Sequence, residues 1–426
     1  MLIPMASTRL LYSIGMDLRR RMALLAAAAL DDREHGLPPP RRPVAATGHR
    51  LASVGIAAAR LPGGGSTNLM RVMQTNACSL SCGYCPTFCG GRVRRTTLAP
   101  EETATVFMQA HRAGRADGLF LTSGVPGRPH RATDRMLATL DILRRREGFR
   151  GYVHLKLLPG AEPAQVEEAA RLATRISVNL EAPRAPQVRA LAREKDLEGD
   201  LLPKLEQAGR LLRARRLERQ PGALPAAGTT TQFVVGAAGE HDREILDVVA
   251  RLEAGGLLHH AHFSAFQPVV GTPLEGLPAT PATRELRLYQ AEHLLRQYGF
   301  RFEELAFEVD GDLSLDHDPK TAWALAHPEW FPVEVTRAPR ELLVRVPGIG
   351  PLAALRLVTG RRAVALRGLA DLTRLGIDTR RAGHYLALRG RRLAAAPPAV
   401  QLRLFPHGAH LTQAPYATAV PPCAFR

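Results

Sequence analysis

Lysine is nearly absent. Of 57 basic residues only Lys156, Lys195, Lys204 and Lys320 are lysine, so the basicity of this 426-residue chain is almost all arginine. Arg, Ala, Pro and Gly are all abundant, the mix a GC-rich coding sequence yields without selection, so a net charge of +17 does not by itself imply a nucleic-acid partner. Aromatics are scarce at 5%, yet hydrophobic residues reach 45%, which excludes a disordered chain. No run approaches the roughly 18 uninterrupted apolar residues of a membrane span. Five cysteines, unevenly placed, are too few for a disulfide scaffold. A Walker loop, a His-Glu-x-x-His metal motif and a serine triad are also missing.

What is there is unevenly distributed. Between Arg337 and Arg392 lie thirteen arginines against Glu341, Asp371 and Asp378, leaving +10 in one short segment. Such a concentration is the footprint of a polyanion-binding module. At the other end, Arg19–Arg21 precede an apolar run over 22–30, faintly like a secretory signal. Asp31, Asp32 and Glu34 follow at once, so the run reads as an amphipathic helix, and the expected location is cytoplasmic with no membrane partner.

The pattern predicts an N-terminal helix and linker over 1–65, a barrel over 66–300, a connector over 301–337, a small all-α module over 338–393 and a flexible tail over 394–426. Within the barrel, β-rich runs fall at 69–74, 118–122, 152–157, 175–180, 230–235 and 262–266. Helix-like stretches lie between them, such as the one opened by Pro100-Glu101-Glu102. Six βα units in series predict a parallel sheet, an α/β fold built as a partial (β/α)6 TIM-like barrel.

The strongest motif is Cys78-Ser-Leu-Ser-Cys82-Gly-Tyr-Cys85, just after the first predicted strand, at the end where barrel active sites form. Three thiolates spaced by three and then two residues suit one face of an iron–sulfur cubane and leave one iron open. Zinc is the rival, with Cys89 as a fourth ligand. Cys89 reads instead as a nearby free thiol, and Cys423 as incidental. Leu121-Thr122-Ser123-Gly124 ends the second strand, where a small turn allows close backbone approach. Asn179 and Glu181 end the fourth, Gln232 lies on the fifth and Gln267 closes the sixth. Lys156, ending the third, is a candidate catalytic residue at the barrel mouth, as substrate ligand or proton donor; a salt-bridged surface lysine is the plainer reading.

A second motif is Val346-Pro347-Gly348-Ile349-Gly350-Pro351, between two apolar helical stretches. It resembles a helix-hairpin-helix, whose glycine turn aims backbone N–H groups at a phosphate without reading bases. Residues 366–377 look like a degenerate second copy. The usual basic residue after the turn is replaced by Leu352, so contact would fall to Arg356, Arg361 and Arg362 together with Gly348, Ile349 and Gly350. The acidic stretch 310–318 fails as an EF-hand, with Leu315 where glycine is needed and Thr321 where glutamate is, and reads as a turn.

The cysteine spacing, with an aromatic before the third cysteine, resembles the radical S-adenosylmethionine (SAM) superfamily. Barrel and hairpin together resemble its DNA modification and repair proteins, over roughly 66–392. That resemblance includes 177–183, 263–268, 313–320 and the hairpin. It implies a [4Fe-4S] cluster on Cys78, Cys82 and Cys85, and reductive cleavage of SAM to a 5′-deoxyadenosyl radical. It places Tyr84 and Gln232 near the adenine, Thr122, Ser123 and Gly124 at the SAM amino group, and Asn179 and Glu181 at the ribose; Gln267 joins the cofactor set. It also implies DNA as substrate, an electron donor and a uracil-DNA-glycosylase-like companion protein. Residues 86–95 and 126–130 depart from the family pattern. Two other readings stand beside this one: a tRNA-modifying enzyme with the same chemistry, and a non-enzymatic iron–sulfur DNA-binding or redox-sensing protein.

Overall fold

The computed structural model describes residues 16–30, 55–60, 66–218, 223–363 and 366–395. Most of the expected linker and nearly all of the expected tail lie outside these residues. The described residues form two compact units: one holds those up to Glu240 together with Leu252–Thr280, the other holds His241–Arg251 and those from Pro281 on.

The first unit is built on a seven-stranded sheet in the order β1 to β7. The strands are β1 (Ile56–Arg60), β2 (Ser66–Met73), β3 (Gly118–Thr122), β4 (Tyr152–Lys156), β5 (Arg175–Ser177), β6 (Gly228–Val235) and β7 (His260–Ala265). β2 through β7 are all parallel in chain order, as the alternating sequence pattern requires. Strand order following chain order is the arrangement of a barrel left open. β3 is buried at every position, which is why its sequence, Gly-Leu-Phe-Leu-Thr, is apolar without alternation. Helices Pro100–Arg112, Pro129–Asp141 and Pro163–Leu172 each begin on proline, whose missing N–H costs nothing in the first turn. Phe107, Phe120, Phe233 and Phe263 are fully buried and fill the core.

Two elements differ from the sequence expectation here. β1 occupies a stretch read as linker and pairs antiparallel with β2 from Ile56↔Met70 to Arg60↔Ser66. Its Ala-rich sequence has little β preference, so the strand is set by its partner. β5 ends at Ser177 rather than at 180, although Val178 N–H still donates to the Thr230 carbonyl.

The second unit is not all-α, correcting that expectation. β8 (Val333–Glu334), β9 (Leu386–Leu388) and β10 (Arg391–Arg392) form a three-stranded sheet in the order β10-β9-β8. Strands of two or three residues carry too little periodicity to be legible. Trp323 anchors the interior, with Phe300, Trp330 and Phe331 rings at 5.6, 5.7 and 6.1 Å. The acidic connector is the expected turn. Asp312 accepts from Asp242 N–H and Arg284, and Asp242 accepts from Leu313 N–H, so both acids are committed to structure. Asp318 caps helix Pro319–Ala326 through Thr321 N–H.

Candidate active site

The cysteine loop leaves the C-terminal end of β2 and is pinned from several sides. Ser79 N–H and hydroxyl both donate to the Val125 carbonyl, and Val125 N–H points at Cys78 Sγ at 3.5 Å. Cys85 N–H donates to the Cys82 carbonyl, closing a turn, and Cys85 Sγ lies 3.1 Å from Thr87 Oγ1. Hydrogen bonds to sulfur are among the groups that tune iron–sulfur clusters. Beyond the cysteines, Arg95 fans its guanidinium into the carbonyls of Asn76, Thr87, Phe88 and Gly91 at 2.5–3.1 Å. Residues 86–95 are therefore organised around one arginine.

Cys78, Cys82 and Cys85 are free thiols. Cys82 is buried at 6% exposure. Burial pushes its thiol up to about 12 against the pull of Lys195, and Cys85, Glu181 and Cys78 add to the rise. Burial likewise raises Cys85, with Cys78 contributing. The three sulfurs thus feel one another, and binding a cluster requires each to give up a proton.

Cys89 is disulfide-bonded, not the expected free thiol. Local spacing does not encode disulfide pairing. Among the described residues no three His, Cys, Asp or Glu side chains converge to hold a single metal ion.

The segment after helix Ala185–Leu191 closes over the loop. The Leu191 carbonyl accepts from Gly83 N–H, and the Glu194 carboxylate accepts from Ser81 N–H and hydroxyl at 3.0 and 2.9 Å. Lys195 reaches inward: its Nζ lies 2.6 Å from Glu181 Oε1 and 3.3 Å from Tyr84 OH. Burial works against its charge, but Cys82 and Glu181 outweigh that and hold the ammonium above the ordinary lysine range. Glu181 itself is 1% exposed, sits at φ 68°, and its Oε2 has no hydrogen-bond partner. A buried carboxylate oxygen without a partner, coupled electrostatically to Cys82, fits a donor-bearing ligand. The backbone holds it there: Glu181 N–H donates to the Gln232 carbonyl, and the Glu181 carbonyl accepts from Val234 N–H.

The other expected residues are placed as follows. Gly124 is glycine because a Cβ would stand 2.3 Å from the Ala77 carbonyl oxygen and 3.3 Å from Cys78 Cβ. Its close approach is therefore to the cysteine loop. Thr122 ends β3, and Ser123 donates to the Gly124 carbonyl. Asn179 donates to Gln232, and Gln232 to Ser264, a chain across three strand ends. Gln267 is exposed and donates to the Thr280 carbonyl. Lys156 ends β4, half-buried, at the same edge of the sheet as these groups. Lys195 was not anticipated. The one sequence signal was its rarity, a lysine kept in a chain that otherwise uses arginine.

In the second unit, Gly348 takes φ 85°, and a Cβ there would stand 2.7 Å from the Asp378 carbonyl oxygen. The turn precedes helix Pro351–Ala363, and the second turn, at Gly376 with φ 83°, packs against it through Asp378 N–H to the Gly348 carbonyl. The Ile349 side chain is core, at 1% exposure, while its carbonyl accepts from Lys320 Nζ at 2.5 Å. Gly350 completes the turn. Arg356 and Arg362 are exposed. Arg361 instead donates to the Val335 and Ala338 carbonyls at 3.0 and 2.7 Å.

No protein-family model matches the chain, and no curated protein matches it. Some solved structures superpose on part of it. The [FeFe]-hydrogenase maturase HydG superposes with a TM-score of 0.43 at 11% identity, over 54% of this chain and 49% of that one. Methylornithine synthase PylB gives 0.42 at 15% identity, over 54% and 61%. The cobalamin-dependent S-adenosylmethionine radical enzyme OxsB gives 0.32 at 14% identity, over 68% and 45%. The chain thus spans about half the length of these structures. Among the described residues no helix is long and apolar enough to cross a membrane.

Proposed function

We propose that the chain is a radical SAM enzyme acting on nucleic acid, with DNA the favoured polymer. One observation carries the chemistry. Three free thiols lie on one short loop after the first parallel strand of an open barrel, and Cys82 is coupled electrostatically to Cys78, Cys85 and a buried glutamate whose second oxygen has no partner. Cys78, Cys82 and Cys85 would hold a [4Fe-4S] cluster, and Glu181 Oε2 would accept from a hydroxyl or amine of SAM. When bound, the pair supplies reductive cleavage of SAM and a carbon radical able to abstract hydrogen. The chain's part is to hold the thiols, through Val125, Thr87 and Arg95, and to keep the pocket around Cys82 dry. Asn179 and Gln232, joined by a hydrogen bond, would meet the ribose and adenine of SAM, and Lys156 would face the substrate side.

The polymer reading rests on the Gly348 turn and on exposed arginines concentrated around it. Such a turn would take a phosphate on outward N–H groups, with Arg356 and Arg362 adding charge. A base acted on inside a barrel must first leave its stack. A hairpin of this kind grips backbone and does not choose the base, so tRNA is the second substrate the same turn supports.

The test is 5′-deoxyadenosine release from anaerobically reconstituted protein with a reductant, alone and with duplex DNA or tRNA at matched salt. The proposal expects release that rises with DNA and is lost in Cys82→Ala. Stimulation by tRNA alone moves the enzyme to RNA. A fully loaded cluster that releases nothing overturns the enzymatic reading and leaves an iron–sulfur binding protein.

A further inference from the structure

Lys195 is a buried cation with an unusual address. It is 8% exposed, its ammonium lies 2.6 Å from Glu181 Oε1, and Tyr84, the residue before Cys85, is its other partner at 3.3 Å. It terminates a short clamp. Leu191, Glu194 and Lys195 engage Gly83, Ser81 and Tyr84, so the clamp holds the cysteine loop at three residues around Cys82. Gly83 is held from the other side as well, since its carbonyl accepts from Leu274 N–H and a Cβ on it would meet Leu274 Cγ at 2.8 Å.

Taking an ammonium out of water costs several kcal/mol unless nearby negative charge offsets it. Glu181 offsets one charge. Three thiolates on a cluster add more negative charge in the same dry space, and that charge grows by one on reduction. Coulomb attraction to a cation fixed beside the loop is then greater for the reduced state than for the oxidised one. Lys195 is paired with Glu181 and Tyr84, and Cys82 is among the groups whose negative charge it feels.

We infer that Lys195 is a positioning residue that fixes a positive charge against the cysteine loop and raises the reduction potential of the cluster held there. The inference rests on the proposed cofactor. The step it governs is uptake of one electron by the cluster from a low-potential donor, with no bond made or broken at Lys195. The role is separate from holding iron, which falls to the cysteines.

The test is an anaerobic potentiometric titration of reconstituted protein, followed by electron paramagnetic resonance, with iron and sulfide counted for each variant. Lys195→Arg should titrate near wild type. Lys195→Met should retain its iron and titrate lower, so that less cluster is reduced at a fixed donor potential. Because Lys195→Met leaves Glu181 buried and unpaired, a second comparison guards against misfolding: Lys195→Met/Glu181→Gln against Glu181→Gln alone. The double variant should titrate below the single one. Equal potentials in that pair, or a loaded Lys195→Met at the wild-type potential, overturn the assignment while leaving the cofactor reading intact. A wild-type protein that takes up no iron–sulfur cluster overturns the cofactor reading, and Lys195 with it.

Discussion

Lys320 donates to the carbonyl of Ile349 at 2.5 Å, from beneath the glycine turn and across the ring of Tyr298. The C=O of Ile349 and the N–H of Gly350 belong to one trans peptide and point opposite ways. Lys320 Nζ therefore holds that carbonyl inward and leaves the N–H directed away from it. Lys320, Asp318, Arg381, Asp378, His293 and Tyr298 all line one cleft of about 320 Å³.

That placement predicts a pH dependence of stability. Burial lowers Lys320 to about 7, with Asp318 pulling it up and Arg381 adding to the fall. Between that value and the model-peptide value of 10.5 the unfolded chain binds more protons than the folded one. The lysine therefore penalises folding most below pH 7, and stability rises as pH climbs from 7 toward 10.5. The slope is at most about 1.4 kcal/mol per pH unit. Denaturant melts from pH 6 to 10 should show this rise in the wild type and lose it in Lys320→Met.

The three hairpin arginines should separate by role. Arg361→Ala removes two bonds to buried-edge carbonyls and should cost about 1–3 kcal/mol of stability. Arg356→Ala and Arg362→Ala should leave stability nearly unchanged, weaken DNA binding at all sequences alike, and reduce the salt slope by about one each. Thermal melts beside salt-dependent anisotropy make the comparison. An Arg361 variant that melts like wild type contradicts it.

Arg95→Ala should loosen the loop after the cysteines. Four carbonyls lose a charged donor, worth about 2–4 kcal/mol in total after resolvation. Hydrogen exchange over 86–95 should speed up, and iron should leave the reconstituted protein faster under chelation.

Gly124→Ala tests the contact between the end of β3 and the cysteine loop. A methyl group there cannot fit against the Ala77 carbonyl without moving it. Iron content after reconstitution should fall several-fold while the far-ultraviolet circular dichroism stays native; full iron content would show that the loop tolerates the shift.

Much of this was legible before the structure. The six parallel strands stood out because each is a short apolar run between helix starts marked by proline and acids. The cysteine loop stood out because its spacing is local. β1 did not, since Ile-Ala-Ala-Ala-Arg becomes a strand only through β2. Helix Ala185–Leu191 was too short to show a period. Lys195 and Glu181 are fourteen residues apart with a helix between them, and only the fold makes them partners. Arg361 looked like its neighbours, because sequence does not say which face of a helix meets Val335 and Ala338.

The central claim is that Cys78, Cys82 and Cys85 hold a cluster with one iron open to SAM. Electron paramagnetic resonance of the reduced, reconstituted protein, recorded with and without SAM, tests it most directly. The account predicts a [4Fe-4S]+ signal that shifts on adding SAM, is absent in Cys82→Ala and persists in Cys89→Ala. A signal indifferent to SAM, or one that depends on Cys89 as a fourth ligand, would contradict it.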